Sequence, residues 1–281
     1  MNHDESTPAP SDAQPLPAEV PPAPASSPSE HEPPAGIADL LLFLLFALAA
    51  LVFLTNALAF GVMHWRGLDL EEVERMARTS AAFITLRQAI WSSLLMLYLF
   101  FQVRLRFARP FWRGLGWRAL RTQGASPTGV YLAFLGAGAG LAIAVQIASA
   151  FLGRPQQLPI DALLRDRTGI LLLMALGILV APLVEETVFR GYIYPVLARR
   201  IGVAAGVILT GSLFGLIHAP QLEGAWGHIG LLAIVGIVFT YARARTGTLL
   251  ASFLLHLGYN GILFFALFVF TQGLRNLPPM P

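Results

Sequence analysis

The sequence predicts an all-α, polytopic membrane bundle of seven to eight spanning helices. Three observations carry that expectation. Hydrophobic residues make up 56% of the chain and charged residues only 12%, about half the charged share of a soluble domain. Mean hydropathy is +0.64. The apolar residues fall into successive runs of the roughly 20 residues needed to cross a bilayer, and most charges lie between those runs.

The elements follow in order. Residues 1–36 carry ten of the twenty prolines, six acids and no Lys or Arg, a composition that cannot bury enough apolar surface to fold. They read as a disordered cytoplasmic tail without the basic start of a signal peptide. Residues 37–167 read as an N-terminal membrane portion. Its spans are about Ile37–Met63, Ser80–Val103 (holding Arg87 and Gln88) and Gly129–Leu152. Between the second and third lies a loop with Arg104, Arg106, Arg109, Arg113, Arg118 and Arg121, accompanied by Phe111, Trp112 and Trp117, the signature of a cytoplasmic, interfacial segment in contact with lipid. Gly136, Gly138 and Gly140 lie inside the third apolar run and follow no strand, so they indicate close helix packing and not a nucleotide loop. A polar stretch, Gly153–Arg167, leads into residues 168–272, the expected core. Its four spans are about Thr168–Arg200 (with Pro182 and Pro195 as candidate kinks), Val203–His218, His228–Ala242 and Thr248–Phe270; residues 273–281 form a tail.

Charge sets an orientation and excludes some functions. All 19 basic residues are arginine. With the N-terminus inside, ten arginines fall on the cytoplasmic side against seven on the other, as the positive-inside rule prefers. Arginines placed this way give no nucleic-acid surface. The absence of cysteine excludes disulfides, thiolate nucleophiles and Cys-based metal sites. Arginine-only basic usage and the plain tail point to the inner membrane of a bacterium.

Against this apolar background three polar pieces stand out: Glu185-Glu186-x-x-x-Arg190, Phe214-x-x-x-His218 and His256-x-x-x-Asn260. Of sixteen acids only Glu185, Glu186 and Asp39 lie in predicted spans, and of six histidines only His218 and His256 do. Charge at the bilayer centre costs several kcal/mol, so a role must offset it. The short turn near Arg200–Gly202 makes the fourth and fifth spans antiparallel neighbours. Glu186 and His218 then sit at similar depth, roughly 20 Å from that turn at about 1.5 Å per residue. His256 and Asn260 share one face of the seventh span. Glu186 and Arg190 have the i, i+4 spacing of an intrahelical ion pair, while Glu185 points about 100° away. Glu185 is therefore expected to be free for chemistry. A buried carboxylate beside a histidine can deprotonate a water, and an imidazole and a carboxamide can donate to an oxyanion. Together these are the parts needed to hydrolyse a peptide bond. Glu185, His218 and His256 could instead hold a zinc ion.

These residues resemble the three signatures of the CPBP (Abi) intramembrane protease family, which includes type II CAAX prenyl endopeptidases and bacteriocin-processing or self-immunity proteins. Phe189-Arg190-Gly191 and Arg245–Ser252 also resemble its flanking sequence, and the resemblance spans about Gly169–Phe270. It implies Glu185 and His218 as the water-activating pair, His256 and Asn260 as the oxyanion or second-ligand pair, and Glu186 and Arg190 as supports. The implied partner is a peptide or membrane-protein substrate, cleaved with or without a divalent metal such as zinc. Two other readings use the same residues: a non-enzymatic immunity or scaffold protein, and a proton-coupled transporter. The absence of an internal repeat counts against the transporter.

Overall fold

The structure, a computed structural model, describes residues 32–122, 124–153, 167–275 and 277. The tail up to residue 31 and most of the polar stretch before the core lie outside the described residues. All regular elements described are helical. They are α1 (Ile37–Arg66), α2 (Leu70–Thr79), α3 (Ala81–Arg106), α4 (Phe111–Gly114), α5 (Pro127–Leu152), α6 (Arg167–Ile201), α7 (Val203–Ile217), α8 (Trp226–Thr246) and α9 (Leu249–Phe270).

Six of these helices are long and apolar enough to cross a membrane: α1, α3, α5, α6, α8 and α9. The expected fifth span is α7, which has only 15 residues. At about 1.5 Å per residue it is about 22 Å long, short of a hydrocarbon core of about 30 Å. It ends at Ile217 with His218 as its C-cap, and a 3-10 turn, Ala219–Leu222, follows. Irregular backbone at that depth is tolerated where protein surrounds it or it lines a cavity.

The burial pattern is that of a membrane protein. Large apolar side chains such as Phe53, Trp65, Phe151 and Phe270 face outward, 76–85% exposed. The interior holds Glu186, Arg190, Thr210 and Thr240 at 0% exposure. In water such an apolar exterior would be an association surface; against hydrocarbon it is solvated.

α6 departs from a regular helix in two places. Leu176–Val180 and Thr187–Ile193 are π-helical, and each precedes a proline near the start of the next α-helical turn, Pro182 and Pro195. A proline has no N–H to give the carbonyl four residues back and its ring crowds that carbonyl. Those carbonyls belong to Ile178 and Gly191, inside the two π segments. Widening the coil there absorbs both problems, so the expected kinks take the form of π segments.

Glycines set two close helix crossings. A Cβ on Gly138 of α5 would overlap the Leu255 carbonyl of α9, and one on Gly258 of α9 would overlap the Leu135 carbonyl of α5. Gly136 and Gly140, in the same glycine run, face nothing within 4 Å, so only the middle glycine makes the expected close packing. Gly211 of α7 and Gly236 of α8 are likewise placed backbone to backbone.

The arginine-rich loop closes one end of the bundle. Gly116 accepts from the Leu249 N–H at 2.9 Å, and the Arg118 N–H donates to Thr248 Oγ1 at 3.3 Å. Glu32 to Gly36, expected within the disordered tail, instead pack against this end. Glu32 is 5% exposed; it pairs with Arg243, and with Arg199 at 3.7 Å. Arg199 also donates to the Pro33 and Ala35 carbonyls. At the neighbouring corner Arg106, on the last turn of α3, pairs with Asp39 on the first turn of α1.

Candidate active site

Arg190 is the centre of the buried polar cluster. It is fully enclosed, and its planar fork makes three hydrogen bonds in three directions. Nη1 donates to Glu186 Oε1 at 2.9 Å, Nε to Thr240 Oγ1 at 3.1 Å and Nη2 to the Gly236 carbonyl at 2.9 Å. The first bond is the i, i+4 pair expected from spacing. The other two reach α8, where Thr240 also donates to the Gly236 carbonyl at 2.7 Å. The guanidinium lies over the Phe214 ring, 4.5 Å from its centroid, an arrangement favourable for a desolvated cation. Phe214 thus supports the arginine as well as the neighbouring His218 ring, whose centroid is 4.9 Å away.

Glu186 passes this order on to α9. The same Oε1 accepts from His256 Nδ1 at 2.9 Å; the other oxygen, Oε2, is buried without a hydrogen-bond partner among the described residues. Because His256 Nδ1 holds its proton toward Glu186, the lone pair of the neutral ring is on Nε2. Nε2 stands 3.8 Å from Glu185 Oε2. Glu185 is the more open of the two carboxylates, with its side chain 23% exposed against 0% for Glu186. The ring of Phe239 lies 4.9 Å from that of His256 and fixes its plane.

His218 has an analogous arrangement. Its Nδ1 donates to the Phe214 carbonyl at 2.7 Å, which again leaves the Nε2 lone pair directed away from the anchoring bond. His218 is the C-cap of α7, so the short helix delivers this imidazole at its end. Asn260 Nδ2 donates to the Gly177 carbonyl at 2.7 Å. That carbonyl belongs to the first π segment of α6, and the second N–H of the carboxamide remains for another acceptor.

The three sequence pieces therefore do not meet in a single ring of contacts. Glu185, Glu186, Arg190 and His256 form one continuous set. Phe214 joins His218 to that set by stacking, with its ring 5.9 Å from that of His256. Asn260, one turn along α9 from His256, ties α9 to α6. Among the described residues no three His, Asp or Glu side chains stand close enough together to hold a metal ion. Glu185, His218 and His256 are not gathered around one point in this arrangement.

Sequence reasoning missed four contributors: Thr240, Gly236, Gly177 and Phe239. Thr240 is the one of these with a signal, a hydroxyl in an otherwise apolar stretch of α8. Trp117 was read as interfacial, yet its indole N–H donates to Thr187 Oγ1 at 3.2 Å, next to Glu186.

Comparison with known families bears on this region. Residues 167–262 match the family model described as type II CAAX prenyl endopeptidase Rce1-like. No curated protein and no solved structure matches the chain. The match runs from the start of α6 to two residues beyond Asn260, so all of the motif residues fall inside it. With six helices able to cross a membrane, the match supports an integral membrane protein whose residues 167–262 are similar to the type II CAAX prenyl endopeptidases, a family of membrane peptidases.

Proposed function

We propose that this protein hydrolyses a peptide bond of a membrane-associated substrate with a water activated by Glu185. The observation that carries the reading is the relay from Arg190 through Glu186 and His256 to Glu185, with every step at 3.8 Å or less. A structural ion pair would need only Glu186 and Arg190. The additional histidine, aimed by Glu186 at a second and more accessible carboxylate, is the arrangement of a general base and its proton partner.

The steps follow from that arrangement. A water beside Glu185 Oε2 and His256 Nε2 gives a proton to the carboxylate as its oxygen attacks the carbonyl carbon. The C=O π bond opens to an oxyanion. N–H donors in the site stabilise that oxyanion, and the free N–H of Asn260 is suited to this. The proton held by Glu185 then passes to the amide nitrogen, the C–N bond breaks, and a carboxylic acid and an amine leave. Family resemblance pairs Glu185 with His218 for activation. The 3.8 Å contact favours His256 as the first proton partner, and leaves the Nε2 of His218 to bond the water or the reacting carbonyl. No step is routed through a metal. The substrate is a peptide or a membrane protein, and the positive-inside rule applied to the arginine-rich loop favours a cytoplasmic N-terminus.

The test is cleavage of a mixed library of fluorogenic peptides, with and without lipid tails, by the purified full chain in nanodiscs. Wild type is compared with Glu185→Gln, each with and without a strong chelator. Cleavage that is abolished by the substitution and unaffected by the chelator is the expected result. Full activity in Glu185→Gln overturns the mechanism, and chelator sensitivity reversed by zinc overturns the metal-free part of it.

A further inference from the structure

The arginine-rich loop forms a cleft outside the candidate active site. The cleft has a volume of about 720 Å³ and is lined by Arg109, Pro110, Arg113, Gly114, Trp117 and Arg118. It includes none of Glu185, His218, His256 or Asn260. No Asp or Glu occurs between Glu74 and Asp161, so a carboxylate partner for the cleft's arginines would have to come from elsewhere in the chain. Three other arginines at this end of the bundle have carboxylate partners: Arg106 has Asp39, and Arg199 and Arg243 have Glu32. Arg109 and Arg113 have no carboxylate within ion-pair distance among the described residues, and Arg109 Nε is buried there without a hydrogen-bond partner.

We propose that this cleft binds the phosphate group of an anionic phospholipid. A phosphodiester supplies the negative charge and the acceptor oxygens that the two arginines require, in the forked geometry that guanidinium groups favour. The surroundings favour a lipid over a soluble anion. The loop joins the end of one spanning helix, α3, to the start of another, α5, which places it at the membrane surface. The rings of Phe111, Trp112 and Trp117 stack edge to face in sequence, with Trp112 half exposed, as in aromatic belts at the headgroup level. On the adjoining last turns of α3, Phe101 and Leu105 face outward and are at least half exposed, a surface along which acyl chains can lie. Basic pockets of this kind at the ends of spanning helices recognise anionic headgroups.

Native mass spectrometry of the full chain in detergent, titrated with phosphatidylglycerol or phosphatidylcholine, reads this directly. Wild type is expected to retain one phosphatidylglycerol in preference to phosphatidylcholine. Arg113→Gln, at an exposed position where folding is not at stake, is expected to weaken that binding about 5-fold, and Arg109→Gln with Arg113→Gln roughly 25-fold. The control pair Arg104→Gln with Arg121→Gln removes the same charge from the same loop outside the cleft and is expected to change binding less than about 2-fold. Equal retention of the two lipids by wild type overturns the proposal. So does an equal effect of the two double variants, which would mean diffuse surface charge. Displacement of phosphatidylglycerol by inorganic phosphate or by an acidic peptide at similar concentration overturns the lipid assignment.

Discussion

Removing the charge of Arg190 is the most informative perturbation of the core. Arg190→Met keeps the length of the stem and deletes the guanidinium. Three acceptors then lose a donor: Glu186 Oε1, Thr240 Oγ1 and the Gly236 carbonyl. Two magnitudes compete. If the fork only satisfied neutral acceptors, each bond would be worth about 0.6 kcal/mol, the average for membrane interiors, or about 2 kcal/mol in all. If Glu186 is a carboxylate sealed from solvent, deleting its counter-charge costs about 3–5 kcal/mol. The burial of both side chains, 0% exposed each, selects the larger figure. The decisive quantity is the coupling in a double-mutant cycle with Glu186→Gln, measured by reversible SDS unfolding in mixed micelles and followed by far-UV circular dichroism. Each single variant is expected to lose about 3–5 kcal/mol. The double is expected to lose much less than the sum, with a coupling on the order of 3 kcal/mol. A coupling below about 1 kcal/mol would falsify the view that Arg190 and Glu186 hold each other and, through them, His256.

Three further outcomes are expected. Glu185→Gln should lower peptide cleavage by about 100-fold or more, the lower range for a lost general base, and should leave the unfolding midpoint unchanged because the side chain is partly open; a shifted midpoint would mean a structural role. Gly258→Ala should destabilise by about 1–3 kcal/mol or more through overlap with the Leu135 carbonyl, while Gly136→Ala, which faces open space, should stay within about 0.5 kcal/mol; equal melting temperatures for the two would remove the close α5–α9 crossing. Glu32→Gln should leave Arg243, 3% exposed, without its carboxylate at a cost of about 3 kcal/mol, and a variant that melts with wild type would show that the anchor is not a stabilising contact.

Much of this arrangement was legible in the sequence because charge in hydrocarbon is so costly that it identifies itself. Glu186 and Arg190 were readable as a pair from i, i+4 spacing alone, and the accessibility of Glu185 followed from the 100° step to the next residue. The pairing of His256 with both glutamates was not readable. Depth along an ideal helix assumes a constant rise and rotation, which the π segments of α6 alter between Leu176 and Ile193. The supports on α8 were hidden for a different reason. Thr240 resembles many hydroxyl residues that satisfy themselves on their own helix, and Gly236 contributes only a carbonyl, which has no residue-specific signature. Composition also misplaced Glu32 to Gly36, since a proline-rich acidic segment reads as unstructured until two arginines, distant in sequence, are known to face it.

The π segments of α6 give the helix a phase. Each takes up one residue more per turn than an α-helical coil would, and the carbonyls inside it point where an uninterrupted α-helix would not send them. Deleting one residue from Leu176–Val180 would let the coil close to α-helical register with its flanks still in phase; the loss would fall on the Gly177 carbonyl and its bond from Asn260. Deleting one residue from the α-helical Ala181–Glu186 has no such slack and would turn one side of the helix by about 100° relative to the other, so that the carboxylates and Arg190 would no longer share their present partners. The chain length between Arg167 and Ile201 is therefore as much a part of the site as any of its side chains. A homologue with a one-residue gap keeps its carboxylates in step where the gap falls in a π segment, and needs a compensating insertion where it falls in the α-helical stretch between the two π segments.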